Sequence, residues 1–340
     1  MARRRNRRDD FDPLIDSAVG AYRRLDPKSQ RIVLILVLIA GLIAVGVYFY
    51  QQHHTPSPQA QGPSTTSTTS ATGPMSAQML LGNPSAATPD PANRSNYLML
   101  KPYYALAYND AKGTANWVSW RVTASDLGDA PRKQIFDSDK TLPQDFKIVA
   151  HKDYSGSGFD RGHLCPHSDR AANREMSFAT FVMTNIIPQA PNVNQKAWAQ
   201  LENYCRDLVR HEHQRLYIIS GPEGQGGRGS NGAAQTIAGG KVVVPARCWK
   251  IIVVVPDSGN PDDDLQKISS STRVITVEMP NDNEAVGEAW APFRTTAAQI
   301  EGQTGYHFFD RLPVEVAQLL RQKADTVPIA APQAMNHNRD

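Results

Sequence analysis

The stretch FDRGHLCPHSDR, residues 159–170, places a carboxylate, a guanidinium, a glycine and a histidine side by side. Within it, His163 is a candidate general base, because an imidazole with an unperturbed pKa of about 6.5 is largely neutral near pH 7. Asn194 follows 31 residues later, and Glu202 and Arg206 come shortly after it. Phosphodiester hydrolysis needs a base, a cation on the phosphoryl oxygens and stabilisation of the leaving oxygen. The combination therefore indicates that chemistry.

These residues resemble the signature of the DNA/RNA non-specific endonucleases, the ββα-metal nucleases with an Asp-Arg-Gly-His motif, and within that family the cyanobacterial secreted nucleases. The run TNIIPQ (residues 184–189), Trp198 and the run LGNPS (residues 81–85) also match. The resemblance covers most of residues 75–325. It implies an α+β fold with a central, mostly antiparallel sheet flanked by helices. It also implies cleavage of single- and double-stranded DNA and RNA to 5′-phosphorylated products.

The resemblance also assigns the metal site. It implies that Asn194 binds Mg²⁺ directly, with Mn²⁺ as a substitute, and that Glu202 acts through water. One asparagine carbonyl is chemically reasonable for Mg²⁺, which keeps most of its hydration shell. On a helix, two residues eight apart lie roughly 80° around the axis and about 12 Å along it. That separation suits a water-mediated carboxylate.

Three arginines are candidate phosphate ligands, because the guanidinium fork matches a phosphoryl group. Arg161 adjoins the histidine and Arg206 lies four residues after Glu202. Arg132, 31 residues before His163, falls where the family places another phosphate-binding arginine. Asp160 is expected to orient the turn rather than to transfer protons.

Two other chemistries use the same stretch. His163, Cys165 and His167 alternate and could bind zinc, but three ligands on one short run interrupted by Pro166 form a poor tetrahedral cage. Catalysis by a Cys165 nucleophile would leave the metal set unexplained. The chain has three cysteines, so at most one intramolecular disulfide is possible. A further alternative is a non-catalytic nucleic-acid-binding surface protein with a decayed nuclease fold.

The N-terminal quarter predicts a membrane anchor. Residues 1–31 hold nine Lys/Arg and five Asp/Glu, and residues 32–50 form a 19-residue apolar run. Such a run can span a hydrocarbon core of about 30 Å, and the basic flank places its N-terminus in the cytoplasm. A cleaved signal peptide is the rival. Residues 51–74, with ten Ser/Thr and four Pro, predict a disordered linker. The nuclease domain, residues 75–325, would then face the extracytoplasmic side, followed by a flexible tail, residues 326–340.

Charge limits how this domain can bind nucleic acid. The whole chain carries +3 and residues 1–31 carry +4, which leaves −1 for residues 32–340. Binding must therefore come from local arginines and a metal ion, a pattern that favours backbone contacts and weak sequence preference. A protein inhibitor cannot be identified from the sequence.

Periodicity predicts the elements of this domain. A helix should follow Pro191, capped by Asn192 or Asn194, after a strand-like run over Phe178 to Ile187. Residues 221–240 are glycine-rich and predict a mobile loop, and no Gly-Lys-Ser/Thr ends them as in a phosphate loop. The remaining predicted strands are residues 97–108, 115–122, 216–220, 241–245, 247–255 and 273–279. The remaining predicted helices are residues 295–302 and 314–322.

Overall fold

The structure is a computed structural model that describes residues 26, 29–30 and 77–329, without the side chain of residue 262. The predicted cytoplasmic segment, anchor and linker lie outside these residues except for residues 26, 29 and 30, and so does most of the predicted tail. Among the described residues, no helix has the length and hydropathy needed to cross a bilayer.

The strands of the domain are β1 Tyr97–Leu100, β2 Ala105–Asn109, β3 Thr114–Val122, β4 Asp160–His163, β5 Ile186–Gln189, β6 Gln214–Glu223, β7 Gly227–Gly229, β8 Gly232–Ala234, β9 Thr236–Ile237, β10 Val242–Val243, β11 Arg247–Pro256, β12 Arg273–Pro280 and β13 Arg294–Thr295. Seven of them form a wholly antiparallel central sheet, in the order β1-β2-β3-β6-β11-β12-β13. The helices are α1 Arg174–Ala179, α2 Trp198–His211, α3 Asp264–Lys267, α4 Ala297–Thr304 and α5 Val314–Gln322. The α+β class and the central antiparallel sheet predicted from the sequence are thus confirmed.

The sheet buries both of its faces, because side chains alternate along each strand. On β11, Trp249 and Ile251 point to a core closed by α4 and α5. Cys248 and Ile252 point the opposite way, to a core that includes α2. A separate antiparallel pair, β4 with β5, contributes to this second core. The residues proposed for catalysis lie on this second side.

Several predicted elements were wrong in detail. Residues 97–108 form a hairpin of two strands, with a turn at residues 101–104, rather than one strand. Residues 178–187 are not a strand: α1 ends at Ala179, a short 3-10 turn covers Met183–Asn185, and strand β5 begins only at Ile186. The side chain of Asn173 accepts a hydrogen bond from the Met176 amide, so local capping overrides the β-branched and aromatic composition.

The glycine-rich residues 221–240 are also more ordered than predicted. They contain the antiparallel pair β7–β8 and strand β9, which pairs with β10. Of the predicted strand 241–245, only Val242–Val243 is extended and paired. Glycines at positive φ, such as Gly226 and Gly232, allow the tight turns that make these pairs possible.

Candidate active site

His163 closes strand β4 and is almost buried, with 8% of its surface exposed. Its ring packs edge-on against Phe181, with centroids 4.8 Å apart, and at 5.2 Å from Phe136. The Nε2 atom is buried and has no hydrogen-bond partner among the described residues. The two phenylalanines therefore hold the imidazole in one orientation.

Electrostatics keep this histidine neutral. Burial lowers the pKa of His163 well below its ordinary value of 6.5, and the positive charge of Arg132 and the neighbouring His167 lower it further. A neutral imidazole can act as a base at pH 7, whereas an imidazolium cannot. The predicted role of His163 is therefore compatible with its surroundings.

Gly162 is required for close packing of the hairpin. It pairs with Ile187, and a Cβ at this position would lie 2.6 Å from the Cβ of Gln189. Real Cβ atoms do not approach so closely, so any larger residue would push β4 away from β5. The glycine before the histidine thus allows β4 to hold His163 close to β5.

Asn194 lies in a π-helical turn, Val193–Ala197, that leads into α2. Its Nδ2 donates to Oδ2 of Asp160 at 2.8 Å, and Nε2 of Gln195 donates to the same oxygen at 2.8 Å. Asn192 occupies the N-cap position of this turn, as predicted, but its side chain makes no capping hydrogen bond, because its Nδ2 donates to the Asn283 carbonyl. Asp160 fixes Asn194 rather than the turn alone.

Glu202 and Arg206 share one face of α2, as their spacing predicted, but each has a different partner. Oε1 of Glu202 lies 3.1 Å from Nζ of Lys250. Nη1 of Arg206 donates to Oδ1 of Asp169 at 2.9 Å, and Oδ2 of Asp169 accepts from Trp120. The helix therefore carries two separate ion pairs that reach into the core.

Burial shifts the pKa of both Glu202 and Arg206. It raises the pKa of Glu202, and the ammonium of Lys250 opposes that rise. Burial alone would lower the pKa of Arg206, but the Asp169 and Glu202 carboxylates raise it overall. Arg206 therefore stays protonated, and one side of its guanidinium is already hydrogen-bonded to Asp169.

The other two predicted arginines differ in how they are held. Nε and Nη2 of Arg161 donate to the carbonyl of His151, at 3.1 and 2.7 Å. Nη1 of Arg161 has no partner among the described residues. The guanidinium of Arg132 lies 5.4 Å from the centre of the Phe181 ring, with no carboxylate paired to it among the described residues. Arg132 is therefore the more available of the two for an anion.

These side chains line one cavity of about 370 Å³. Six of the seven residues predicted from the sequence border it: Arg132, Arg161, His163, Asn194, Glu202 and Arg206. The seventh, Asp160, is bonded to Asn194. Elements far apart in sequence, the loop at Arg132, strand β4 and helix α2, thus converge at one place.

The zinc and cysteine alternatives do not fit this arrangement. Cys165 is fully buried in the core, and burial raises the pKa of its thiol. All three cysteines are buried and free, and burial raises the pKa of Cys205 and Cys248 to about 12. No set of three His, Cys, Asp or Glu side chains in the described part of the chain could form a metal cluster.

A hydrated divalent cation fits the donors that are present. Asp160 holds the amide nitrogen of Asn194, and no described residue hydrogen-bonds to its carbonyl oxygen, Oδ1. Oε2 of Glu202 is likewise without a hydrogen-bond partner among the described residues. Amide and carboxylate oxygens are hard donors, and a cation held by few protein ligands keeps its water. The cavity therefore offers the oxygen donors that Mg²⁺ prefers.

Comparison with known proteins identifies the family. The sequence profile described as DNA/RNA non-specific endonuclease matches residues 81–315. The chain belongs to the DNA/RNA non-specific endonuclease family. It is 43% identical to the Nuclease of Nostoc sp. over 251 residues, which cover 74% of this chain and 87% of that protein. It is 30% identical to Nuclease C1 of Cunninghamella echinulata over 66% of this chain and 87% of that protein.

A solved structure supports the fold of this endonuclease. The chain superposes on a chain of the EndoG/EndoGI complex with a TM-score of 0.57 and 22% identity, covering 72% of this chain and 96% of that one. The family and its relatives are nucleases that act on nucleic acids, and the present chain is accordingly an endonuclease.

The sequence did not identify every residue around the endonuclease's cavity. His167 borders it, and burial with the charges of Arg132 and Arg206 lowers its pKa to about 4. The motif analysis considered His167 only as a zinc ligand. Lys250 was missed entirely, although a lysine inside the apolar strand CWKIIVVV (residues 248–255) is an identifiable signal.

Proposed function

We propose that this chain is a metal-dependent endonuclease that hydrolyses DNA and RNA, single- and double-stranded, to 5′-phosphorylated products without sugar preference. One observation carries the proposal: His163 borders the same cavity as Asn194, Glu202 and the three arginines. A base, hard oxygen donors and guanidinium groups are the components that phosphodiester hydrolysis requires.

In the proposed reaction, the imidazole of His163 takes a proton from water as the water oxygen attacks phosphorus. The P–O3′ bond breaks, the phosphate stays on the 5′ carbon, and the 3′ oxygen takes a proton from a second water molecule. Arg132, Arg161 and Arg206 offset the phosphoryl charge, and Asp160 keeps Asn194 in place. The fixed ring of His163 reduces the motion needed to reach the transition state.

A single cation, Mg²⁺ with Mn²⁺ as a substitute, would be held by Oδ1 of Asn194, with Glu202 contributing through water. When bound, it supplies positive charge to the phosphoryl oxygens and to the leaving oxygen. Asp160 and Lys250, which bond to these two side chains, would keep the donor atoms oriented whether or not the cation is present.

The lack of sugar and sequence preference follows from what the cavity offers. Its cationic groups are arginines, which bind phosphates that DNA and RNA share. Outside residues 1–31 the chain carries a net −1, so it is not a strongly basic binder overall. We therefore expect modest affinity and similar cleavage of different sequences.

A nicking assay tests the proposal and its alternative, a decayed fold that binds nucleic acid without cutting. The protein is incubated with supercoiled plasmid and with structured RNA, with Mg²⁺ or with excess chelator. The proposal predicts cleavage of both substrates and its loss with chelator, restored by added Mg²⁺. Retarded migration of uncut DNA and RNA in the presence of Mg²⁺ would instead establish the decayed fold.

We also propose that residues 32–50 anchor the enzyme in a membrane, with the nuclease domain on the extracytoplasmic side. This proposal rests on the apolar run and its basic flank. Protease added outside intact cells, or spheroplasts where there is an outer membrane, should cut within residues 51–74 and release an active domain. A mature chain starting just after Tyr50 would show a cleaved signal peptide, and protection from protease would show the reverse orientation.

A further inference from the structure

Lys250 is the one charged residue within residues 248–255 of central strand β11. Its side chain is 1% exposed, and it pairs across the sheet with Ser220 and Val277. An ammonium removed from water is costly unless it is paired, and an apolar residue of similar size is often at least as stable in such a place. A stability role alone gives no reason for a lysine at this position.

Two tryptophan rings and one carboxylate surround the ammonium of Lys250. Nζ of Lys250 lies 4.4 Å from the centre of the Trp198 ring and 5.4 Å from that of Trp120. It lies 3.1 Å from Oε1 of Glu202. Two aromatic faces attract the cation, and among the described residues Glu202 is the one carboxylate that pairs with it. The side chain is held by this set and does not border the cavity.

Glu202 is in contrast divided between two environments. Its Oε1 accepts a hydrogen bond from Nζ of Lys250, and no other described side chain hydrogen-bonds to this carboxylate. Glu202 also lines the cavity that contains His163 and Asn194. Because Lys250 occupies one oxygen, the other oxygen is left for whatever the cavity binds.

We propose that Lys250 is a positioning residue, whose ammonium fixes Glu202 from the sheet side so that the free carboxylate oxygen is directed at a hydrated cation near Asn194. This inference rests on the proposed metal-dependent function. It assigns to a residue of the sheet a part in cation binding, through a contact spanning 48 residues of sequence. Outer partners that orient a metal's ligands commonly change its affinity by about 10- to 100-fold when removed.

The test measures cation binding directly, without turnover. Full-length protein is titrated with Mn²⁺, and the free ion is quantified by electron paramagnetic resonance for the wild type, Lys250→Met, Glu202→Gln and the double variant. Methionine keeps the length and the contact with the tryptophans but removes the charge. We expect Lys250→Met to raise the Mn²⁺ Kd about 10-fold or more. In the Glu202→Gln background, Lys250→Met should add little, because both act through one carboxylate.

Lys101→Met is a matched control. Lys101 is half-buried and forms an ion pair with the buried Asp139, at 2.8 Å, outside the residues that line the cavity. It should lower the denaturation midpoint while keeping the wild-type Mn²⁺ Kd. A structural role for Lys250 would give the same pattern in Lys250→Met.

The outcomes separate the inference from the function on which it rests. Folded Lys250→Met with a wild-type Mn²⁺ Kd, beside an active wild type, overturns the role of Lys250 alone. A wild type that neither binds Mn²⁺ nor cleaves overturns the proposed function. If Lys250→Met does not fold, Lys250→Gln carries the test, since its amide is shorter and uncharged, and a wild-type Kd in that variant also overturns the inference.

Discussion

The two faces of the central sheet treat buried charge differently. On the face covered by α4 and α5, Asp264 accepts from Arg215 at 2.5 Å, from Tyr217 at 2.7 Å and from Lys267 at 3.2 Å. Both oxygens of Asp264 therefore have donors. On the opposite face, only one oxygen of Glu202 has a donor among the described residues, and Glu202 borders the cavity.

The difference distinguishes groups that stabilise the fold from groups available for chemistry. A carboxylate whose two oxygens both have donors offsets the cost of its burial and has no oxygen left for a ligand. Polar atoms left open at a cavity, on a scaffold that fixes them, can act on a substrate at once. The same sheet therefore serves as a rigid support on one side and as the floor of the site on the other.

Removing the imidazole of His163 should have the largest effect. His163→Ala is expected to lower the cleavage rate by at least about 10³-fold with the fold intact, because the proposed general base is lost. The rate is measured on supercoiled plasmid, and circular dichroism checks the fold. His211→Ala, at an exposed position on α2, is the control and should cleave like the wild type. A folded His163→Ala variant with near-wild-type rate would remove the base from the account.

Substitution of the two oxygen donors, Asn194 and Glu202, should lower activity to different extents. Asn194→Ala is expected to abolish activity through lost cation binding, whereas Glu202→Ala should be gentler because it acts through water. The rate is measured against Mg²⁺ concentration for each variant. We expect Glu202→Ala to recover at high Mg²⁺ and Asn194→Ala not to recover. The reverse order would exchange the two ligand roles.

A smaller loss of activity is expected when Arg132, at the border of the cavity, is substituted. Arg132→Ala should reduce kcat/KM by roughly 10- to 100-fold, the range that corresponds to one lost charge-assisted hydrogen bond. Because Arg132 would contact phosphate, the loss should be similar on substrates of different sequence. Cleavage-site mapping on a mixed library is the measurement, with exposed Arg210→Ala on α2 as the control. A sharp change in sequence preference would contradict a backbone contact.

Substitution on the face covered by α4 and α5 should leave the cleavage rate unchanged. Ile251→Ala removes a fully buried side chain packed toward α4 and α5, and should cost about 2–5 kcal/mol of unfolding free energy. Activity per folded molecule should stay at the wild-type value. Urea unfolding gives the first quantity, and turnover below the transition gives the second. A large loss of turnover in the folded protein would show that the two faces are coupled.

The sequence selected residues that lie together, although it predicted the surrounding elements only in part. His163, Asn194, Glu202 and the three arginines border one cavity. They were selected because their residue types suit the chemistry and their spacing resembles a known motif. The helix over residues 314–322 was also found in full, since its apolar period is regular. In each case the signal is local or is shared with a family.

What the sequence did not predict depends on contacts between distant segments. The bond from Asn194 to Asp160 spans 34 residues and that from Lys250 to Glu202 spans 48. No local period encodes such partners, because only the pairing of β4 with β5 and the packing of α2 on β11 bring them together. The strand expected over residues 178–187 failed for a related reason: its composition favoured extension, but the Asn173 cap and a tight turn decided the backbone.

The pH dependence of kcat/KM tests the central claim, that a buried neutral His163 is the base, most directly. The acid limb of this profile reports the base in the free enzyme. Since burial lowers the pKa of His163, the ring stays unprotonated as pH falls below about 6.5, and gains its proton only at lower pH. The account predicts an acid limb with its midpoint below 6.5, absent from the residual activity of His163→Ala. A midpoint at or above 6.5, or the same limb in His163→Ala, would contradict it.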